Sequence, residues 1–330
     1  MKEQGTRVPE ISTRDDDEEE SQVGVGVLPS GAWPVMVTPF KEDRSIDWSA
    51  LDELTEWYLG TGIAGLFAVA QTSEMYALSA SERLAVARRV VDRVAGRIPV
   101  VATGTFGATP DEQADAVRAM ADTGVDAVIA VTSQVAEQAD GDQVLLDRLV
   151  HLRAATGATL GLYECPQPYK RLLATEVLSA LAAVGGFVFL KETSERPDVV
   201  AAKAAAVAGS TLKVYNAEMS GLLESVRAGA HGFCGNAGNY YPELVQWICD
   251  AGSQGDPGAE RIQRIMTVVD AVVSTPLYPA SAKYFLASAR GVRMSPICRA
   301  ANIGLGEHDR RLLDHLARTM RELELPVALV

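Results

Sequence analysis

The runs Thr159-Leu160-Gly161-Leu162-Tyr163 and Phe187-Val188-Phe189-Leu190-Lys191 decide the fold of this chain. Both are short, apolar and rich in strand-forming residues, and the stretch between them is long enough for one helix. Together they read as neighbouring strands of a parallel sheet joined by a helical crossover. The same alternation extends outward from Trp33, with strands predicted over 35–38, 65–69, 100–103, 127–131, 159–163, 187–191, 212–215 and 232–235. Eight such βα units are the number that closes a (β/α)8 TIM barrel.

Local punctuation agrees with this α/β reading. Ser79-Ala80-Ser81-Glu82 is a capping box ahead of a long helical pattern, and Thr109-Pro110-Asp111-Glu112 repeats it with proline at the first helical position. Gly96, Gly124 and Gly157 each stand just before a strand, where a left-handed residue stops a helix. A doubly wound sheet would want a Gly-x-Gly-x-x-Gly turn after its first strand, and Pro39-Phe40-Lys41-Glu42-Asp43 offers none. The expected organisation is a disordered acidic tail over 1–28, a barrel over 29–252 and a C-terminal helical region over 253–330, with helices near 260–273, 281–289 and 307–323. The tail carries Asp15-Asp16-Asp17-Glu18-Glu19-Glu20, a run that repels itself and has nothing to bury.

Composition narrows the function. The chain has 330 residues, 48% of them hydrophobic, and a formal net charge of −13. That charge opposes nucleic acid and anionic membrane as partners, because both need a basic face. No apolar stretch is long enough to span a bilayer, and the amino terminus is polar and acidic where a signal peptide would be basic and then apolar, so a cytoplasmic protein is expected. Cys165, Cys234, Cys249 and Cys298 lack Cys-x-x-Cys spacing and read as reduced, mostly buried thiols. His151, His231, His308 and His315 show no ligand spacing either, so neither a metal nor a cofactor is expected.

In a barrel of this kind the active site forms where strands end and βα loops begin. Three groups stand there: Lys191, Tyr163 and the segment Ala70-Gln71-Thr72-Ser73-Glu74. Alternation puts Phe187, Phe189 and Lys191 on one face of their strand and Thr159, Gly161 and Tyr163 on one face of its neighbour. With strands about 4.8 Å apart, an inward-facing amine and phenol can reach one bound carbon. Desolvation favours the neutral amine, the form that attacks a carbonyl. The alternative for Lys191 is a side chain that leaves the barrel mouth to pair with Glu192 or Glu195. Tyr163 alone would be a packed aromatic, and the hydroxyls of Thr72 and Ser73 alone would be ordinary turn chemistry.

These residues resemble the dihydrodipicolinate synthase / N-acetylneuraminate lyase superfamily of pyruvate-type lyases. Pro34-Val35-Met36-Val37-Thr38-Pro39-Phe40 is similar to that family's opening strand. Tyr163-Glu164-Cys165-Pro166 resembles its Tyr-Asn-x-Pro, and Leu190-Lys191-Glu192-Thr193-Ser194 resembles its lysine strand. The resemblance implies that Lys191 forms an imine with pyruvate or another 2-oxo acid, that Tyr163 shuttles protons, and that Thr72 and Ser73 bind the carboxylate; Gln71 is expected to be a further substrate-binding residue. It also implies a homotetramer or homodimer. Departures bear on the substrate. Gln71-Thr72-Ser73-Glu74 replaces the usual Thr-Thr-Gly-Glu, and Thr132-Ser133-Gln134-Val135 stands where dihydrodipicolinate synthase has a tyrosine pair. Its aldehyde-binding arginine falls on Pro168, leaving Lys170 or Arg171 as substitutes. Asn236 is a candidate for a substrate hydroxyl or for holding a turn, and Glu164 is expected to face away from Tyr163 in a structural role.

The expectation is therefore a Schiff-base lyase, an aldolase or hydro-lyase, acting on a 2-oxo acid. The alternatives are 4-hydroxy-tetrahydrodipicolinate synthase activity, a non-catalytic barrel that binds an oxo acid, and a metal-dependent aldolase, the last disfavoured by the absence of clustered ligands.

Overall fold

A computed structural model describes residues 26–274, 276–300 and 304–329, and the acidic run at 15–20 lies outside the described residues. The eight strands are β1 (Gly31–Ala32), β2 (Leu66–Val69), β3 (Val100–Thr103), β4 (Ala127–Val131), β5 (Leu160–Tyr163), β6 (Phe187–Glu192), β7 (Lys213–Asn216) and β8 (Gly232–Phe233). They pair in parallel in the order β1-β8-β7-β6-β5-β4-β3-β2. The ring closes where Val35 bridges Phe67, with Met36 N donating to Phe67 O and Phe67 N to Pro34 O, both at 3.0 Å.

The first strand is the one the sequence misplaced. Its regular pairing lies at Gly31–Ala32, against β8, and 35–38 contributes only the bridge to β2. The chain changes partners between these points because the first strand must bond on both sides to close the cylinder. The other strands begin or end within two residues of their expected limits.

Both expected capping boxes form, at Ser79 ahead of the helix Ala80–Val94 and at Thr109 ahead of the helix Pro110–Ala121. Gly96, Gly124 and Gly157 take positive φ of 73°, 89° and 65°, as helix-stopping residues should. The strands are buried on both faces, as parallel strands between barrel and helices must be. Three later helices, Ala259–Val273, Ala280–Ala289 and Glu307–Glu322, follow the barrel.

The interior is filled largely by aromatic rings. Phe189 stacks on Tyr215 with centroids 4.4 Å apart, Trp33 meets Phe189 at 5.1 Å, and Phe67 meets Tyr163 edge-on at 5.9 Å. Gly161 makes room for this layer: a Cβ there would lie 2.3 Å from Ile129 Cδ1 and 2.9 Å from Phe189 Cβ. At its amino-terminal side the described chain enters the core at Leu28, and the Pro29 carbonyl accepts from Tyr215 Oη at 2.8 Å. Tyr163 and Lys191 close their strands at the opposite end of the barrel.

Candidate active site

Tyr163 and Lys191 are register partners across β5 and β6. Lys191 Nζ lies 4.5 Å from the centroid of the Tyr163 ring and 6.0 Å from that of Phe67. Both residues are nearly dry, at 5% and 3% exposure. Desolvation holds the Lys191 amine below the ordinary lysine value, a loss partly offset by the nearby thiols of Cys234 and Cys165. Burial likewise raises the Tyr163 phenol well above its ordinary value, so its hydroxyl keeps its proton.

The alternative pairing of Lys191 with a neighbouring carboxylate does not form. Glu192 points to the other side of β6 and accepts from Lys203 Nζ at 2.8 Å, and Glu195 pairs with Lys170 at 3.0 Å. Glu164 also points away from the cavity, as alternation requires. It accepts from Lys203 Nζ at 2.5 Å, from Leu173 N at 2.8 Å and from Thr193 N at 3.1 Å. Burial first, and the second carboxylate at Glu192 after it, push the Glu164 carboxyl up to about 7 against the opposing pull of Lys203.

A cavity of about 460 Å³ opens above the pair, walled by Gln71, Thr72, Tyr76, Gln167, Asn236 and Tyr278 among others. Gln71 Oε1 accepts from Tyr163 Oη at 3.4 Å and lies 3.8 Å from Cys165 Sγ. Thr72 shares a hydrogen bond with the Tyr278 hydroxyl, which in turn accepts from the Asn239 amide. A second, larger cavity of about 710 Å³ lies at the other end of the barrel, near Leu28, Arg97, Val100 and Arg153, away from the reactive strand ends.

Not every expected site residue reaches this cavity. Ser73 is part of the turn itself: its hydroxyl accepts from Ala70 N at 3.0 Å and lies 2.7 Å from Met36 O. Arg171 is turned away, donating to the carbonyls of Glu137 at 2.6 Å, Asp140 at 2.8 Å and Gly141 at 3.2 Å. A guanidinium whose two terminal nitrogens are held by three backbone oxygens is a loop brace, and it does not replace the arginine missing at Pro168. Thr132 has a similar duty, its hydroxyl donating to Arg171 O at 2.8 Å.

Part of the wall was missed. Tyr76 and Gln167 follow β2 and β5, within reach of the strand-end rule. Ser274, Tyr278, Cys298 and Ala300 come from the C-terminal region, where the sequence offers no such rule. Glu74 ties that region to the barrel. It sits at a φ of 59°, rare for a residue with a Cβ, and its carboxylate accepts from Lys283 Nζ at 2.7 Å, Arg299 N at 2.5 Å and Ala300 N at 2.8 Å. Among the described residues no group of three or more His, Cys, Asp or Glu side chains could hold a metal ion, and no helix is long and apolar enough to cross a membrane.

The profile of the dihydrodipicolinate synthetase family matches residues 28–319. The chain belongs to the dihydrodipicolinate synthetase family. A 4-hydroxy-tetrahydrodipicolinate synthase of Saccharophagus degradans is 30% identical over 68% of this chain and 76% of its own length. Among solved structures, a chloride-inhibited dihydrodipicolinate synthase of Acinetobacter baumannii complexed with pyruvate superposes with a TM-score of 0.79 at 22% identity, covering 89% of this chain and 99% of that one. YagE of E. coli K12, a family member also in complex with pyruvate, gives 0.79 at 19% identity over 88% and 98%. At these identities the structures attest the shared barrel, and family membership makes the chain a lyase of the dihydrodipicolinate synthase type.

Proposed function

We propose that Lys191 captures the ketone carbon of pyruvate or a related 2-oxo acid as an imine, with Tyr163 moving the protons. The observation that carries this reading is the register of a dry amine against a dry phenol at the mouth of the barrel. The neutral amine adds to C2, Tyr163 hands a proton to the departing oxygen, and water leaves. The resulting protonated imine draws electrons from C3. Loss of a proton, or of a carbon substituent, from C3 gives an enamine, and the reverse sequence joins the enamine to an aldehyde.

The substrate carboxylate is assigned to Thr72 and to the backbone N–H groups of Gln71 and Thr72. Among the described residues those two N–H groups have no protein acceptor. Gln71 accepts the Tyr163 hydroxyl and so fixes the direction of the phenol. We further assign the protein to the cytoplasm as a homotetramer or homodimer, a reading supported by four free, buried thiols and by the family resemblance. Light scattering tests the assembly.

Borohydride reduction in the presence of pyruvate, followed by peptide mass mapping, tests the imine. A stable adduct on Lys191 is expected. An unmodified Lys191 under conditions that fully reduce a known imine would leave a barrel that binds oxo acids without reacting.

A further inference from the structure

Beyond the 2-oxo acid, the cavity must also hold the group that joins or leaves C3, and its lining says what kind of group that is. We infer that this outer subsite takes an uncharged, hydroxylated aldehyde rather than one carrying a carboxylate or phosphate. The inference rests on the imine reading, because it assumes that Lys191 is consumed in the covalent bond.

Among the described lining residues Lys191 is the sole cation. The cations around the mouth are already engaged. Lys170 pairs with Glu195 at 3.0 Å, and Arg171 is spent on three carbonyls. Arg299 grips Glu82 with two bonds of 2.8 Å while covering the Phe40 ring. Lys283 is held by Glu74 and by Ile297 O, each at 2.7 Å, and Arg83 donates to Leu78 O at 2.7 Å while lying over Phe106. The carboxylate of the oxo acid takes the Thr72 hydroxyl and the free N–H groups beside it. A second anion would therefore enter beside the oxo-acid carboxylate with no cationic side chain in the described lining to offset the repulsion.

Neutral hydrogen-bonding groups are plentiful in the same space. Gln71, Gln167 and Asn236 offer amides able to donate and accept, the complement of an alcohol, while the hydroxyls of Ser274 and Tyr278 are already bonded to Asp270 and to Thr72 and Asn239. No protein acceptor engages the Gln71 amide nitrogen among the described residues, and Asn236 stands on the short 3-10 turn after β8 at the cavity edge. An analogue without hydroxyls forfeits the bonds to these half-buried and mouth-facing amides, which discriminates against it.

The test measures pyruvate-dependent turnover of four aldehydes with the full chain: glyceraldehyde, glyceraldehyde 3-phosphate, succinic semialdehyde and butanal, with the borohydride adduct measured in parallel. The expected result is a kcat/KM for glyceraldehyde about a hundredfold above each of the others. Gln167→Arg, which adds a cation at the mouth, should raise kcat/KM for succinic semialdehyde by about tenfold. Equal or better use of either anionic aldehyde by the parent protein, or an adduct with no consumption of glyceraldehyde, overturns the inference while leaving the imine standing. Preference for butanal overturns its hydroxyl component. Absence of the adduct removes the imine reading and this inference together.

Discussion

Glu164 and Lys203 meet at 2.5 Å behind the active site, on the side of the strands that faces away from the cavity. Lys203 also holds Glu192 at 2.8 Å, so one ammonium clamps the residues that directly follow Tyr163 and Lys191. The clamp reaches from the helix Pro197–Ala206 to the ends of two strands and holds the phenol and the amine in register.

Lys203→Met should therefore destabilise the protein by about 3–5 kcal/mol, because two buried carboxylates lose their shared partner. Glu164→Gln should be far milder, since Lys203 keeps Glu192. The folded Glu164 carboxyl, at about 7, lies above its unfolded value near 4.3, so its contribution to stability is full below about 4.3 and is lost as pH rises through about 7. Urea denaturation from pH 4 to 8 should show that component in the parent protein and its loss in Glu164→Gln.

Lys191 should cost stability where it supports chemistry. Its folded value is lowered, so the unfolded chain binds the extra proton, and the cost is greatest below the folded value and disappears as pH rises past about 10.4. Lys191→Met should be inactive yet more stable at pH 7 by about 1 kcal/mol or more, with the difference shrinking toward pH 10. A less stable variant at pH 7 would show that the amine has a stabilising partner.

Tyr163→Phe separates imine formation from proton transfer. Turnover should fall by about 10²–10⁴-fold, whereas borohydride should still trap pyruvate on Lys191. Retention of full turnover would move the proton shuttle to another group. The loss of packing is small, because the ring edge against Phe67 is retained.

Glu74→Ala should loosen the C-terminal wall of the site. It strands the buried Lys283 ammonium and frees the N–H groups of Arg299 and Ala300, at a cost of about 3–5 kcal/mol. Hydrogen exchange at residues 299 and 300 should accelerate more than exchange in β3–β6. Unchanged protection there would mean that the segment is held by other contacts.

Much of the barrel was legible because its signals are short-ranged. Strand alternation, capping boxes and helix-ending glycines act within a few residues, and seven of the strands fall within two residues of their expected limits. The first strand was misread because its hydrogen-bonding partners are the last and second strands, and no local pattern says where a strand exchanges one for the other. The inward pairing of Tyr163 with Lys191 also follows from period-two alternation, although a bulge between β5 and β6 adjusts their register.

The sequence by itself determined the eightfold alternation, the helical C-terminal region and the strand-end lysine and tyrosine, since each depends on neighbours along the chain. Only the tertiary structure decided that Ser73 and Arg171 are braces, that Lys203 serves both Glu164 and Glu192, and that the cavity is walled in part by Tyr278 and Cys298. Those outcomes depend on which side chains meet across long stretches of chain, as Glu74 and Lys283 do across 209 residues. A buried charge takes the partner that packing brings within reach, and one-dimensional spacing does not encode that distance.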